Sequence, residues 1–285
     1  MKKSGFVSII GRSNVGKSTL LNSLVGSKIS ITTPKPQTTR RPIQGVITTN
    51  QGQAVIVDTP GFMQKARDPL TQKLTGWIKD ALRDVELVIY VVDPTRQIGD
   101  EEKAAQRMIE HVTVPKLLVI NKMDDPTYRY NVDFYRDLAK KFDAYVEVSA
   151  LTGKDVNLIK RWIFDNLPEG EAHYPDFQLT NQSNKEWLSE LIREKLFLRL
   201  REELPYSTHV EVEDINERQN GIVYVKATVF TSAARYKPMI IGVGARGIKE
   251  IGQSTRRELE AITDKKYYLD LNVEVDASWL NRLEI

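Results

Sequence analysis

The chain has 285 residues, 41% hydrophobic and 28% charged, with no cysteine and a formal net charge of +3. That length suits two domains, and that balance describes a globular chain, not a disordered or fibrous one. Disulfides and thiolate metal sites are excluded, a reducing compartment fits, and the mild basicity permits an RNA partner without requiring one.

Met1-Lys2-Lys3 has the charge of a secretory leader, but the apolar run behind it, Phe6 to Ile10, is too short for one. No apolar run approaches the length of a membrane-spanning helix, so a cytoplasmic chain is expected. Short apolar runs then alternate with helical stretches as far as residue 167, the pattern of a βα-wound, mostly parallel sheet with helices on both faces. The predicted strands are Phe6–Ile10, Gly45–Thr49, Ala54–Val57, Leu87–Val92, Lys116–Ile120 and Tyr145–Val148. Several are near-continuous β-branched runs, as in strands buried on both faces. Ligands of such sheets bind beyond the carboxyl ends of the strands, so four polar strand tips are read together.

The first tip is Gly11-Arg12-Ser13-Asn14-Val15-Gly16-Lys17-Ser18, followed by Thr19. It fits G-x-x-x-x-G-K-[ST] between a strand and a helix, a loop whose backbone N–H groups cradle phosphates. The helix behind it presents its positive end to the same anion. Lys17 is expected on the β- and γ-phosphates and Ser18 on Mg²⁺. The second tip is Asp58-Thr59-Pro60-Gly61, then Phe62. Asp58 suits a Mg²⁺-bound water, and Gly61 frees an N–H to approach a γ-phosphate.

The third tip is Asn121-Lys122-Met123-Asp124. A carboxylate accepts two parallel N–H bonds, which guanine offers and adenine does not, so Asp124 is expected to select guanine. Asn121 is expected to tie this loop to the phosphate loop, with the Lys122 stem over the base. The fourth tip, Ser149-Ala150-Leu151, offers the Ala150 N–H to the guanine carbonyl. Each of the last three tips alone is an ordinary turn; their order and spacing make the signal.

Together these tips resemble a GTPase of the translation-factor-related class over residues 5–167. The resemblance places a switch loop at Thr32–Arg40 and implies a Mg²⁺-binding threonine there, Thr39 with Thr38 as its rival. It assigns Lys17, Thr39 and Gly61 to catalysis, and Ser18, Thr39 and, through water, Asp58 to the metal. Ras-like enzymes carry a water-orienting glutamine where this chain has Phe62, so slow intrinsic hydrolysis is expected. Asn14 resembles an asparagine that helps hold K⁺ in related GTPases.

Residues 168–182 have two prolines, a glycine and no apolar periodicity, and read as a linker between a 1–167 nucleotide domain and a 183–285 domain. Within the linker, His173 reads as a surface residue. Ser183-Asn184-Lys185-Glu186 matches a capping box before an amphipathic helix running from Trp187 to Leu198 and ended by Leu204-Pro205. His209–Ile215 and Gly221–Thr231 read as hairpin strands, with His209 and Glu211 a strand-face pair too small for a metal site. A Gly-rich loop, Gly242-Val243-Gly244-Ala245-Arg246-Gly247, precedes a long helix, and Tyr267–Val275 is the last strand. From Lys237 to Tyr268 there are seven Lys/Arg and four Asp/Glu, a modest surplus suited to phosphate. The element order resembles a type II KH domain, a smaller α+β unit in which a G-x-x-G loop clamps single-stranded RNA.

Over nearly the whole chain the sequence resembles the Era family, through Ile-Arg-Glu-Lys at 192–195, Arg-Glu-Glu-Leu-Pro at 201–205 and the run Ile240–Gly252 as well as the loops above. The resemblance implies a monomeric GTPase that binds GTP and GDP and the small-subunit (16S) ribosomal RNA near its 3′ end. It further implies a role in maturation of the small (30S) ribosomal subunit, with peripheral association with the inner membrane face. Lys237, Lys249 and the 242–247 loop are the expected RNA contacts. Two positions depart from the family: Ser13 replaces a proline, and Ala245 replaces the second glycine of the clamp, so the clamp is either Gly242–Ala245 or Gly244–Gly247. The rival to an active GTPase is an RNA-binding assembly module whose nucleotide site is regulatory, with negligible hydrolysis.

Overall fold

Buried β-branched runs build the first sheet of the computed structural model, which describes residues 2–36, 38–61, 76–78 and 80–279. Its strands are β1 Lys3–Ile10, β2 Ile43–Thr49, β3 Gly52–Asp58, β4 Leu87–Val92, β5 Lys116–Ile120 and β6 Ala144–Glu147. They lie in the order β2-β3-β1-β4-β5-β6, with β2 antiparallel to β3 and the other neighbours parallel. Alternate residues of β4 serve two cores. Leu87, Ile89 and Val91 pack on one face with Leu20, Leu24, Ile159 and Ile163, and Val88, Tyr90 and Val92 on the other with Ala105, Ile109 and Tyr135. The first face is covered by α1 Lys17–Val25 and α4 Val156–Asn166, the second by α2 Asp100–Glu110 and α3 Val132–Leu138. Burial on both sides explains why the strands read as continuous apolar runs.

The chain divides into two units, Met1–Asn181 and Gln182–Ile285. Residues 168–181 form no helix or strand of their own but are tied to the first unit. Ser4 N donates to Pro168 O at 3.0 Å, and Val46 N to Leu179 O at 2.9 Å. The buried Gln53 amide accepts from His173 N and Tyr174 N and donates to Tyr174 O. His173 is exposed, with its ring against Phe6.

The second unit holds α5 Asn184–Arg199, β7 Thr208–Glu217, β8 Ile222–Thr231, α6 Tyr236–Ile241, α7 Arg246–Thr263 and β9 Lys266–Val275. The capping box forms: Ser183 accepts from Glu186 N while the Glu186 carboxylate accepts from Ser183 N. α5 stops at Arg199, before Leu204-Pro205, because Leu200 is already extended; the proline instead opens a short 3₁₀ turn, Leu204–Ser207. The sheet order is β7-β8-β9, β7 and β8 antiparallel and β8 and β9 parallel. Its core joins Leu191, Ile192 and Leu196 of α5 to Val225, Ala227 and Val229 of β8 and Ile251 and Leu259 of α7. His209 stacks on Trp279 and lies 3.4 Å from Glu211.

Candidate nucleotide and RNA sites

The carboxyl ends of β1, β3 and β5 release loops from largely buried strands, and that of the half-exposed edge strand β6 releases a fourth; these loops converge. The loop after β1 turns sharply at Gly16, whose φ of 98° opens α1. A side chain there would put its Cβ 2.3 Å from the Asn121 amide, so only glycine fits. Lys17 is folded back, donating to Gly11 O at 3.0 Å and Arg12 O at 3.1 Å. Burial lowers its pKa to about 8, against the opposing pull of the Asp58 charge.

Ser18 Oγ donates to Asp58 Oδ2 at 2.6 Å and lies 3.0 Å from Thr39 Oγ1. Thr39 and Ser30 donate to the same Asp58 oxygen at 3.5 and 3.3 Å. Thr38 points elsewhere, donating to Lys35 O and bonded to Thr33. Asp58 is wholly buried, and its Oδ1 has no hydrogen-bond partner among the described residues. Burial raises its pKa, opposed by Lys17 and the three hydroxyls. Hard oxygens around a buried, half-satisfied carboxylate fit Mg²⁺, a cation that takes few protein ligands and keeps its waters. No cluster of three His, Cys, Asp or Glu side chains offers a different kind of metal site among the described residues.

Asn121 Nδ2 donates to Val15 O at 2.9 Å, while its Oδ1 accepts from Ala150 N at 2.9 Å. One buried amide thus ties the phosphate loop to both remaining tips. Ser149 Oγ donates to Asp124 Oδ1 at 2.6 Å, and Met123 N donates to Val148 O. Lys122 stands at a left-handed φ of 63°, its ammonium 2.6 Å from Asp93 Oδ2. Asp124 and Leu151 are exposed at the rim. Thr59 donates to Ile9 O, seating the second tip on β1. A cavity of about 530 Å³ opens among these loops, lined by Ser13, Lys17, Ser18, Thr39, Gly61 and Lys122 among others. Phe62 lies outside the described residues.

Three supports were not foreseen from the sequence. Asp93, directly after β4, is buried and binds Lys122 while accepting from Thr95 N at 2.9 Å. Arg96 Nη1 donates to Ser13 O at 2.9 Å. Arg12 is buried with Nε 3.0 Å from Glu102, which also holds the Tyr90 hydroxyl. The signal available was position alone: Asp93 and Arg96 follow a fifth buried strand's carboxyl end.

In the second unit, residues 242–245 form the turn between α6 and α7. Gly242 has φ 73° and ψ 168°, Gly244 φ 58° and Ala245 φ 60°. Val243 is 96% exposed at the tip. Arg246 and Gly247 are already helical, and a Cβ on Gly247 would lie 2.5 Å from Ile240 O. The turn therefore coincides with Gly242–Ala245, while Gly247 serves the close crossing of α6 and α7. Arg246 pairs with Glu250 at 3.0 Å; Lys237 and Lys249 lie on either side of the turn.

Comparison with known proteins agrees with both units. Residues 6–122 match the family described as 50S ribosome-binding GTPase, and residues 203–280 match the KH domain family. The GTPase Era of Halothermothrix orenii is 38% identical, covering 97% of this chain and 94% of its own length. That of Carboxydothermus hydrogenoformans is 40% identical, with coverages of 98% and 95%. Among solved structures, Aquifex aeolicus Era bound to GDP·AlF4⁻ is 32% identical with a TM-score of 0.90, covering 99% of this chain and 96% of that one. An Era in complex with MgGDPNP and nucleotides 1506–1542 of 16S ribosomal RNA has the same identity and TM-score, with coverages of 99% and 97%. A P-loop GTPase unit followed by a KH unit, with relatives this similar over nearly their whole length, places the chain in the Era family of GTPases.

Proposed function

We propose that the chain binds GTP and GDP at the convergent strand tips, hydrolyses GTP slowly, and uses that cycle to govern its grip on the 3′ end of 16S ribosomal RNA during maturation of the 30S subunit. The observation that carries the nucleotide half is the double tie of Asn121, which binds Val15 O and Ala150 N and so joins the phosphate and purine loops. The Era complex with 16S RNA supports the RNA half.

In this reading the phosphate loop from Gly11 to Thr19 wraps the phosphates, with Lys17 leaving its two carbonyls for the β- and γ-oxygens. Asp124 accepts from the guanine N1 and amine groups, Ala150 N donates to its carbonyl, and the Lys122 stem covers the ring. Ser18 and Thr39 would hold Mg²⁺ directly and Asp58 through water; the ion would neutralise charge on the β- and γ-phosphates. Gly61 N donates to the γ-phosphate. Positioning and charge neutralisation supply the acceleration, and Phe62 leaves the attacking water without a glutamine. The amide of Asn14 donates to Pro34 O at 2.6 Å, which leaves its oxygen for K⁺.

In the second unit, Gly242 to Ala245 clamps the RNA backbone, with Lys237, Arg246, Gly247 and Lys249 at its flanks. Domain limits of 1–167 and 183–285, a monomeric cytoplasmic state and peripheral contact with the inner membrane face complete the reading, supported by the family resemblance. No helix among the described residues is long and apolar enough to cross a membrane.

The test is nucleotide competition with and without an oligomer of the 16S 3′ end, followed by turnover in K⁺ and in Na⁺ buffer. GTP and GDP displace label, ATP does not, the RNA changes GTP turnover, and K⁺ exceeds Na⁺. Displacement by ATP would remove the guanine assignment; binding without any turnover would favour the assembly module.

A further inference from the structure

The phosphate loop carries one side chain that its own scaffold leaves unused. Ser13 is 6% exposed, and its hydroxyl has no hydrogen-bond partner among the described residues. It lines the same cavity as Lys17, Ser18, Thr39 and Gly61. Gly61 approaches so closely that a Cβ there would lie 2.4 Å from Ser13 Oγ and 2.8 Å from Ser13 N. Arg96 fixes the Ser13 peptide by its bond to the carbonyl at 2.9 Å. A buried hydroxyl without a partner is unfavourable unless something that enters the site satisfies it. The cavity that Ser13 and Gly61 line together is the one assigned above to the phosphates of GTP.

We propose that the Ser13 hydroxyl is a catalytic group of this chain, donating a hydrogen bond to a γ-phosphate oxygen as GTP is hydrolysed. The inference rests on the assignment of this cavity to the phosphates of GTP. In the step, the oxygen of water bonds to the γ-phosphorus while the bond from that phosphorus to the bridging oxygen breaks. The electron pair leaves with GDP, and the water's proton ends on inorganic phosphate or in solvent. Ser13 supplies a hydrogen bond and transfers no proton. Its value lies in charge that grows on the phosphoryl oxygens beside a donor already held in place by the loop. A proline at this position has neither hydroxyl nor N–H, and Phe62 has no polar side-chain atom, so the serine adds a side-chain hydroxyl donor to those that the loop's backbone N–H groups and Lys17 already offer.

The experiment compares wild type, Ser13→Ala and Ser13→Gly in full-length protein, by single-turnover hydrolysis and by the affinities for GDP and GDPNP. Both variants lose the hydroxyl and keep the N–H; glycine adds no side chain that strains the loop. Hydrolysis is expected to slow about a hundredfold in both. GDPNP affinity falls about tenfold while GDP affinity holds within about twofold. Unchanged hydrolysis in either variant would overturn the proposal. So would equal losses for GDP and GDPNP, which would mark a distorted loop. Wild type that binds no GTP would overturn the phosphate assignment beneath it, an outcome read separately in the unmutated arm.

Discussion

The two candidate sites hold their shape by opposite means. The nucleotide site is fixed by buried and half-buried side chains whose polar contacts span long stretches of sequence: Ser18 and Thr39 on Asp58, Asn121 between the Val15 and Ala150 backbone, Lys122 on Asp93. The Gly242–Ala245 turn is fixed by backbone torsion, with three left-handed residues and an almost fully exposed valine at its tip. The first is preorganised by low-dielectric polar contacts, which lose much when one member goes. The second is preorganised by which residues tolerate positive φ, so its substitutions are felt as strain.

Asp124→Asn should sharpen that contrast most. It removes the acceptor proposed for two guanine N–H groups, at an exposed side chain whose Oδ1 can still accept from Ser149 Oγ. Competition binding should show GTP affinity falling about a thousandfold, with preference moving to xanthine nucleotides. Unchanged guanine selectivity would break the assignment.

The buried ammonium gives the next effect. Lys17 has a folded pKa of about 8 against 10.5 in the unfolded chain. Below pH 8 both states carry the proton, and holding it buried opposes folding. From pH 8 to 10.5 only the unfolded chain binds the proton, so this opposition fades and stability gains as pH rises. Nucleotide behaves in reverse, because phosphate favours the charged form. GTP affinity should drop up to tenfold per pH unit above about 8, with proton uptake on binding, read by calorimetry in two buffers of different ionisation heat.

The turn predicts smaller changes of opposite sign. Gly242→Ala puts a Cβ 2.9 Å from Gly247 N at a φ of 73°, and should destabilise the second unit by about 2 kcal/mol. Ala245→Gly relieves a left-handed alanine worth about 1–2 kcal/mol, offset by the greater freedom of glycine when unfolded. The net gain should be about 0.5 kcal/mol in chemical denaturation. If both variants left stability untouched, torsion would not be what shapes this turn.

Much of this was legible because both kinds of signal are local. Strands buried on two faces appear as apolar runs, so β4 and β5 are read to the residue and β1 and β3 to within a few; the half-exposed edge strand β6 is read to within one from its Tyr-Val pair. The alternatives at Thr38 and Thr39 needed geometry, since adjacent threonines in a polar loop carry no distinguishing pattern. Polar burial was the blind spot. Glu102, in the charged stretch Asp100-Glu101-Glu102-Lys103, is wholly buried against Arg12 and Tyr90. Arg193-Glu194-Lys195 is likewise buried, with Lys195 bonded to Glu194 and Glu258. Charges that neutralise one another across distant elements leave no periodic trace. Residues 168–181 lack periodicity because Gln53 and the strand edges hold them largely by hydrogen bonds, which need no repeating apolar pattern.

The single amide of Asn121 has a consequence for how the ligand binds. Bonded at one end to Val15 O and at the other to Ala150 N, it couples the two halves of the crevice, so that ordering one favours order in the other. Guanosine and pyrophosphate offered as separate fragments should each help the other to bind.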